Sequence, residues 1–195
     1  MIHFDNELKG YAKTNKVPIS FDETMEFVIE QINKNNYKNI LEIGTAIGFG
    51  SISMASFTNA EHIDTVEIDK EIFQEAEENI KSRKLNDKIT AYNIDARQYL
   101  LNCNKKYDFI YLDGPKGQYI NYLPMLVDLL ADNGMIVADN LFFHGMVTGI
   151  IDVPASCRAM IKGLHNFVNE ITTNPMYDSQ IYNIGDGVAR IKIKK

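Results

Sequence analysis

The sequence predicts an α/β protein with a doubly wound, mainly parallel sheet of seven strands and an antiparallel hairpin strand at its C-terminal end. Short apolar segments with strand periodicity alternate along the chain with segments whose apolar residues recur at helical spacing. The last two strand-like segments flank Gly185-Asp186-Gly187, which is a hairpin signal. With 195 residues the chain has the length of one domain. We expect a single domain over residues 1–195, with residues 1–36 forming an N-terminal arm and helix over its ligand site.

The strands are predicted where apolar and β-branched residues cluster. Residues 107–112 (YDFIYL) are nearly continuous in apolar and aromatic side chains, as buried parallel strands are. A turn over residues 132–134 is expected to lead into the fifth strand. The seven predicted strands span residues 39–43, 63–68, 88–94, 107–112, 135–138, 178–184 and 188–194.

The helices are predicted between these strands from the spacing of their apolar residues. The first spans residues 22–35, and either Ser20 or Asp22 is available as its N-cap. The second follows a glycine cluster and runs to Phe57, and Pro124 is expected to kink or break a later one. The other predicted helices span residues 70–84, 96–101, 118–130 and 155–172.

Composition and charge exclude several classes of protein. Hydrophobic residues make up 45% and charged residues 24% of the chain, which is typical of a globular domain and excludes a disordered or fibrous protein. Lys and Arg number 20 against 26 Asp and Glu, giving a formal net charge of −6. The strongly basic composition typical of nucleic-acid-binding domains is absent, so we expect no DNA partner.

Cysteine content and hydropathy predict the compartment. Cys103 and Cys157 are far apart and form no C-x-x-C pair, so neither a disulfide framework nor a zinc ribbon is indicated. No segment approaches the roughly 18 apolar residues of a membrane span, and residues 1–10 lack the apolar core of a signal peptide. We therefore expect a cytoplasmic protein with reduced cysteines and no membrane partner.

An acidic residue stands at or just after the end of each of the first five predicted strands. In doubly wound sheets ligands bind outside the carboxyl ends of the strands, where the strand order reverses. This regularity predicts that a ligand site is built from those ends. The five acids are Glu42, Glu67, Asp95, Asp113 and Asp139.

The loop after the first strand predicts a bound cofactor that carries a ribose. Gly44, Gly48 and Gly50 allow close backbone approach to a ligand, but their spacing differs from the G-x-G-x-x-G that cradles a pyrophosphate. Glu67 can accept both hydroxyls of a ribose, and Glu42 suits an ammonium group. These features favour S-adenosylmethionine over NAD. A nicotinamide-dependent oxidoreductase and a metal-free binding module remain as alternatives, and a tight turn with a solvated Glu67 is the structural alternative.

The fourth and fifth strand ends predict a metal site with a base beside it. Asp113, Asp139 and Asn140 supply the hard oxygen ligands that Mg²⁺, or another divalent ion such as Mn²⁺ or Ca²⁺, prefers. Lys116 is close enough in sequence to reach a substrate oxygen there. A nearby dication and partial burial both favour the neutral amine, which can act as a general base. Either piece alone favours a simple turn with a solvated lysine, and it is their joint occurrence at neighbouring strand ends that favours the metal site.

These motifs make the chain resemble the metal-dependent class I O-methyltransferases, the family that includes catechol and caffeoyl-CoA methyltransferases. Within that family it is most similar to the bacterial tRNA 5-hydroxyuridine methyltransferases, through residues 116–119 (KGQY) and 16–19 (KVPI). The motifs that carry the family resemblance are LEIGTAIGFGS at 41–51, VEID at 66–69, YLDGPKGQY at 111–119, VADNLFFHG at 137–145 and GDGVA at 185–189.

The resemblance implies a role for each matching residue. It implies that Asp113, Asp139 and Asn140 bind the metal and that Lys116 is the catalytic base. The chain departs from its relatives at Gly50, where they commonly carry a serine near the cofactor carboxylate, although the backbone amide remains available as a donor. The implied contacts to S-adenosylmethionine are Ser20 at its methionine end, Glu42, Gly44, Glu67, Asp95, Ala96 and Asp113.

The implied reaction leaves two substrate classes open. A catechol-like phenol offers two vicinal hydroxyls, and a 5-hydroxyuracil offers O5 beside the O4 carbonyl, so both can chelate one metal ion. The resemblance favours tRNA as partner, and a homodimer could merge small basic patches around each pocket. Candidate phosphate contacts are Lys9, Lys13, Lys16, Arg158 and Lys162, although for each of them taken singly an ordinary solvated side chain is the favoured interpretation. His144 is either a substrate contact or a loop histidine, and Lys105 and Lys106 are expected to face solvent.

Overall fold

The computed structural model describes residues 2–194, and one seven-stranded sheet forms its centre. The strand order is β3-β2-β1-β4-β5-β7-β6, with β1 to β5 parallel and β7 antiparallel to both of its neighbours. This confirms the predicted fold class. The strands are β1 (Asn39–Ile43), β2 (His62–Glu67), β3 (Ile89–Asn93), β4 (Tyr107–Leu112), β5 (Leu130–Ala138), β6 (Tyr177–Tyr182) and β7 (Val188–Ile193).

Helices cover both faces of the sheet and bury two separate cores. Alternate residues of β4 serve the two sides, because successive side chains of a strand point to opposite faces. Phe109 and Tyr111 belong to the core under the first four helices, while Ile110 and Leu112 belong to the core under the last three. The helices are α1 (Asn6–Asn15), α2 (Asp22–Asn35), α3 (Phe49–Phe57), α4 (Lys70–Ser82), α5 (Ala96–Asn102), α6 (Tyr119–Leu129) and α7 (Arg158–Thr173).

The N-terminal arm contains a helix, α1, that the sequence analysis did not predict. Asp5 caps it by accepting hydrogen bonds from the Glu7 and Leu8 amides, at 3.0 and 3.1 Å. Asp5 also binds Arg83 at the end of α4, with Oδ2 2.6 Å from Nε. Phe4 packs against Phe49 of α3 at a ring separation of 5.8 Å. The arm is therefore packed onto α3 and α4.

Two local predictions about helix and strand starts were wrong. The N-cap position of α2 is Phe21, which makes no side-chain cap, because the Ser20 hydroxyl is used elsewhere and Asp22 pairs with Lys9. Strand β5 begins at Leu130 rather than residue 135, because Leu130 pairs with Tyr107 and the register then shifts. The expected turn over residues 132–134 is an irregularity inside this strand pair.

Lys105 and Lys106 also differ from expectation. Lys105 Nζ lies 2.6 Å from Oδ2 of the buried Asp64, and Lys106 Nζ donates to the Asp128 carbonyl oxygen at 2.6 Å. Both amines are therefore partnered rather than free in solvent. Within residues 2–194, no helix combines the length and apolarity that a membrane crossing requires.

Candidate active site

The strand order reverses between β1 and β4, and this places the glycine loop beside Asp113. Gly44 follows β1 with a φ of +105°, and a Cβ at this position would overlap the Asp113 carbonyl oxygen. The Asp113 amide in turn donates to the Ile43 carbonyl oxygen at 3.0 Å. Only glycine fits this close approach. The loop and the fourth strand end therefore form one continuous surface at the expected switch point.

Glu67 and Asp95 extend this surface along the ends of β2 and β3. Glu67 Oε2 accepts a hydrogen bond from the Ala46 amide in the glycine loop at 3.0 Å. Its Oε1 accepts from the Asp69 amide at 2.9 Å, which fixes the carboxylate at the loop. Asp95 caps α5 by accepting from the Gln98 amide at 3.1 Å, and Ala96 begins that helix. The predicted cofactor residues after β1, β2 and β3 thus lie along neighbouring strands.

Glu42 lies beneath the glycine loop and is only 1% exposed. Its Oε2 accepts a hydrogen bond from the Thr65 hydroxyl at 2.6 Å, and that hydroxyl lies 2.6 Å from the hydroxyl of Thr45. Burial raises the pKa of the Glu42 carboxyl to about 8; the Thr65 hydrogen bond opposes this shift and the Asp113 charge adds to it. The side chain thereby links the loop to β2 from below.

Asp113 and Asp139 are joined by two hydroxyl groups. The Ser20 hydroxyl donates to Asp113 Oδ2 at 3.1 Å and lies 2.9 Å from the Tyr111 hydroxyl. The Tyr111 hydroxyl donates to Asp139 Oδ2 at 3.1 Å. The chain of contacts therefore runs from Asp113 through Ser20 and Tyr111 to Asp139. It ties the N-terminal segment to both predicted metal-binding strand ends.

This chain of contacts has more oxygen–oxygen links than hydroxyl protons to fill them. It contains three oxygen–oxygen links, but Ser20 and Tyr111 carry only two hydroxyl protons between them. Burial and the neighbouring Asp113 charge raise the pKa of the Asp139 carboxyl to about 7. A buried carboxylate with a raised pKa, close to a second carboxylate, suits a divalent cation. The carboxylate oxygens of Asp113 and Asp139 therefore fit the predicted divalent metal.

Asn140 and the backbone complete the side of the site next to β5. The backbone amide of Asn140 donates to Asp139 Oδ1 at 2.7 Å. Asn140 has a φ of +58°, a left-handed conformation that asparagine tolerates. Among residues 2–194 no group of three or more His, Cys, Asp and Glu side chains is placed to hold a metal. A metal here would have two carboxylates and an amide oxygen from the protein.

Lys116 lies next to Asp113 as the spacing predicted. Its Nζ is 2.6 Å from Asp113 Oδ1 and 3.2 Å from the Asp113 carbonyl oxygen. Each of the two side chains is 17% exposed, so the amine is partly screened but reachable. An amine in this position can exchange a proton with a substrate oxygen held beside Asp113.

Three site residues were not found from the sequence. Tyr111 and Thr65 were assigned only to buried strands, although each hydroxyl contacts a predicted site carboxylate. Asp186 accepts two hydrogen bonds from the His144 amide, at 2.8 and 3.0 Å, and so holds the loop after β5 against the terminal hairpin. The His144 ring itself is 68% exposed and lies outside the carboxylate pair's contacts. The sequence signals for Tyr111 are its place at the start of the YLDGPKGQY motif and its position two residues before Asp113 on the same strand.

Comparisons with known proteins agree with this architecture. The sequence profile of a family described as O-methyltransferase matches residues 6–194. Caffeoyl-CoA O-methyltransferase 2 of Eucalyptus globulus is 28% identical over 93% of this chain and 77% of its own length. Tapetum-specific methyltransferase 1 of Arabidopsis thaliana is 27% identical over 93% of this chain and 80% of its own length.

A solved structure is similar over nearly its whole length. It is a Staphylococcus aureus protein, provisionally described as a caffeoyl-CoA O-methyltransferase, with 32% identity and a TM-score of 0.89 over 97% of this chain and 91% of that one. The O-methyltransferase of Bacillus cereus, solved with S-adenosylhomocysteine, has the same fold at 21% identity and a TM-score of 0.84 over 100% of this chain and 93% of that one. The chain belongs to the O-methyltransferase family, which confirms the class of enzyme that the sequence predicted.

Proposed function

We propose that this chain transfers the methyl group of S-adenosylmethionine to an oxygen of a substrate that offers two adjacent oxygens to a divalent metal. The observation that carries the proposal is the pairing of Asp113 and Asp139 through Ser20 and Tyr111, with Lys116 beside Asp113. When bound, the metal would polarise the two substrate oxygens and S-adenosylmethionine would supply the methyl group.

The protein's own groups have distinct tasks in this proposal. Asp113, Asp139 and Asn140 would hold the ion, which would supply the binding site for the two substrate oxygens. Lys116 Nζ takes the proton of the attacking hydroxyl, and the products are a methyl ether and S-adenosylhomocysteine. Glu67 holds the ribose, while Gly44 and its neighbours allow the methionine end to lie against the backbone. This arrangement aligns the oxygen with the methyl carbon.

A small phenol with two vicinal oxygens is the substrate class that the relatives favour. Several of them carry the name caffeoyl-CoA O-methyltransferase, and a caffeoyl ring has such a pair of hydroxyls. The chain covers 77% and 74% of these two relatives' own lengths.

A 5-hydroxyuridine in a tRNA anticodon loop is the second candidate. The observation in its favour is a cavity of about 650 Å³ between α1 and α2 that is lined by three lysines and also by Ser20. Lys13 and Lys16 are exposed there, whereas Lys9 is paired with Asp22. Asp22 and Glu23 also line this groove, so its free positive charge comes from Lys13 and Lys16, which would suit the phosphates around a flipped base. A homodimer would place two such grooves on one particle.

Methyl transfer with labelled S-adenosylmethionine tests both candidates. The purified chain is stripped of metal, resupplied with Mg²⁺ or Mn²⁺, and offered caffeoyl-CoA, simple catechols and tRNA that lacks 5-methoxyuridine. We expect labelled methyl ether only when metal is present. Label in the phenols alone supports the first substrate class, and label in the tRNA alone supports the second.

Two controls define failure. Asp139→Asn should abolish transfer to every acceptor because it removes one of the two carboxylates. Full activity of the wild-type chain in excess chelator would overturn the metal assignment. Tight binding of NADH without any affinity for S-adenosylmethionine would overturn the proposal and favour an oxidoreductase.

A further inference from the structure

Among residues 2–194, Tyr111 is the one side chain whose hydrogen bonds link the Asp139 carboxylate, through Ser20, to Asp113. It is fully buried next to the C-terminal residue of β4, two residues before Asp113. Its hydroxyl is 3.1 Å from Asp139 Oδ2 and 2.9 Å from the Ser20 hydroxyl, which is itself 3.1 Å from Asp113 Oδ2. Packing in the apolar core does not require a hydroxyl at this position. Phe109, two residues earlier on the same face of β4, packs into the same core without one.

We propose that Tyr111 is a positioning residue that orients the Asp139 carboxylate for the metal and couples it, through Ser20, to Asp113. This inference rests on the proposed metal-dependent function. Asp139 has one oxygen held by the Asn140 amide at 2.7 Å and the other by Tyr111, so the plane of the carboxylate is fixed from both sides. Groups that hold metal ligands in this way commonly change metal affinity by about 10- to 100-fold when removed.

The same contacts give the N-terminal segment a role at the site. Ser20 precedes α2 and belongs to the arm that packs on α3 and α4. Its hydroxyl contacts both Tyr111 and Asp113, so the position of this segment and the geometry of the two carboxylates depend on each other. Binding of the ion should therefore also reduce exchange of the backbone amides around residue 20.

The test compares Tyr111→Phe with Tyr107→Phe. Tyr107 lies on the same strand, is equally buried, and donates to the buried Asp64 at 2.6 Å at the opposite end of the sheet. Both substitutions remove one buried hydroxyl that serves one buried carboxylate, so both should lower the melting temperature. Mn²⁺ is titrated into each metal-free protein and free Mn²⁺ is followed by EPR, a readout independent of turnover.

We expect the Mn²⁺ dissociation constant to rise about 10- to 100-fold in Tyr111→Phe and to stay within about twofold of wild type in Tyr107→Phe. Equal affinity in Tyr111→Phe and wild type, with binding abolished in Asp139→Asn, would overturn the role of Tyr111 and leave the metal site intact. An equal loss in both tyrosine variants would also overturn it, because the effect would then follow stability. Absence of Mn²⁺ binding by the wild-type chain would overturn this role together with the metal assignment.

Discussion

Gly50 leaves the space that the buried carboxylate of Glu42 occupies. A Cβ at residue 50 would overlap Glu42 Oε1, although the glycine lies in α3 with ordinary helical geometry. The resemblance to relatives with a serine at this position had suggested only the loss of a hydroxyl contact. The structure gives the glycine a steric reason in this chain, because Glu42 is fixed from the other side by Thr65.

Gly50→Ala should destabilise the protein even though alanine favours helices. We expect a loss of about 1–3 kcal/mol in the free energy of unfolding, typical of an extra methyl group in a packed interior. The matched control is Gly10→Ala in α1, where a Cβ meets nothing within 4 Å and the gain should be about 0.5–1 kcal/mol. Urea denaturation measures both, and a Gly50→Ala protein as stable as wild type would contradict the steric account.

Glu42 should make the metal-free protein less stable as the pH rises. The folded protein keeps the Glu42 proton up to about pH 8, whereas the carboxyl ordinarily loses it near 4.5. Its contribution is therefore complete below about pH 4.5 and is lost as the pH rises toward 8, with a slope of at most about 1.4 kcal/mol per pH unit.

Comparison with Glu42→Gln isolates this effect. Both proteins are unfolded in urea between pH 5 and 8.5 in the presence of chelator. Asp139 is then free of metal in both proteins, so its own titration cancels in the comparison. The wild-type free energy of unfolding should fall relative to that of the variant across this range. Parallel curves would show that Glu42 is ionised in the folded protein.

Asp64 should contribute to stability and not to catalysis. It is completely buried on β2 and accepts from Lys105 and from the Tyr107 and Tyr99 hydroxyls at 2.6, 2.6 and 3.2 Å. Burial alone would raise the pKa of Asp64, but the hydrogen bonds from Lys105 and Tyr107 outweigh it and hold this pKa below its ordinary value. The stabilisation is thus present at neutral pH and is lost as the pH falls below about 4.

Asp64→Asn is expected to lower the free energy of unfolding at pH 7 by about 1–3 kcal/mol, because it leaves buried donors less well satisfied. Methyl transfer at 25 °C should keep its wild-type kcat. Asp87→Asn, an exposed substitution in the turn before β3, is the control and should change neither quantity. A large loss of kcat in an Asp64→Asn protein that is fully folded would link Asp64 and its hydrogen-bond donors to the active site.

The strands and their acidic ends could be predicted because both are local signals. Residues 39–43 and 107–112 match β1 and β4, since apolar periodicity and the glycines or acids that follow depend on neighbours in sequence. Helix α1 lacks that signal. Only Leu8 and Ala12 of its ten residues are buried, and it is held by the Asp5 cap and by Arg83, 78 residues away from Asp5.

The parts of the site that could not be predicted depend on contacts between distant segments. Ser20 matches the composition of an N-cap, and its actual partners, Tyr111 and Asp113, are 91 and 93 residues away. The Tyr111 hydroxyl could not be distinguished from a core tyrosine by strand periodicity, because only the fold brings it to Asp139. Lys105 was expected in solvent for the same reason, since Asp64 is on another strand.

Lys116 should be needed for turnover and not for binding of S-adenosylmethionine. Lys116→Met removes the proton acceptor, and kcat should fall by about 10²- to 10⁴-fold. The dissociation constant for S-adenosylmethionine, measured by calorimetry, should stay within about threefold of wild type. This change is far smaller than the expected loss in kcat. Lys81→Met, an exposed substitution at the end of α4, is the control and should keep wild-type kinetics.

Lys116→Arg separates the proton transfer from the ion pair. Arginine can keep the pairing with Asp113 that Lys116 Nζ makes at 2.6 Å, but its guanidinium does not lose a proton in proteins. If Lys116 is the base, Lys116→Arg should be about as slow as Lys116→Met at every pH from 6 to 9. A wild-type kcat in Lys116→Arg would show instead that only the positive charge beside Asp113 matters, and the base would have to be sought elsewhere in the site.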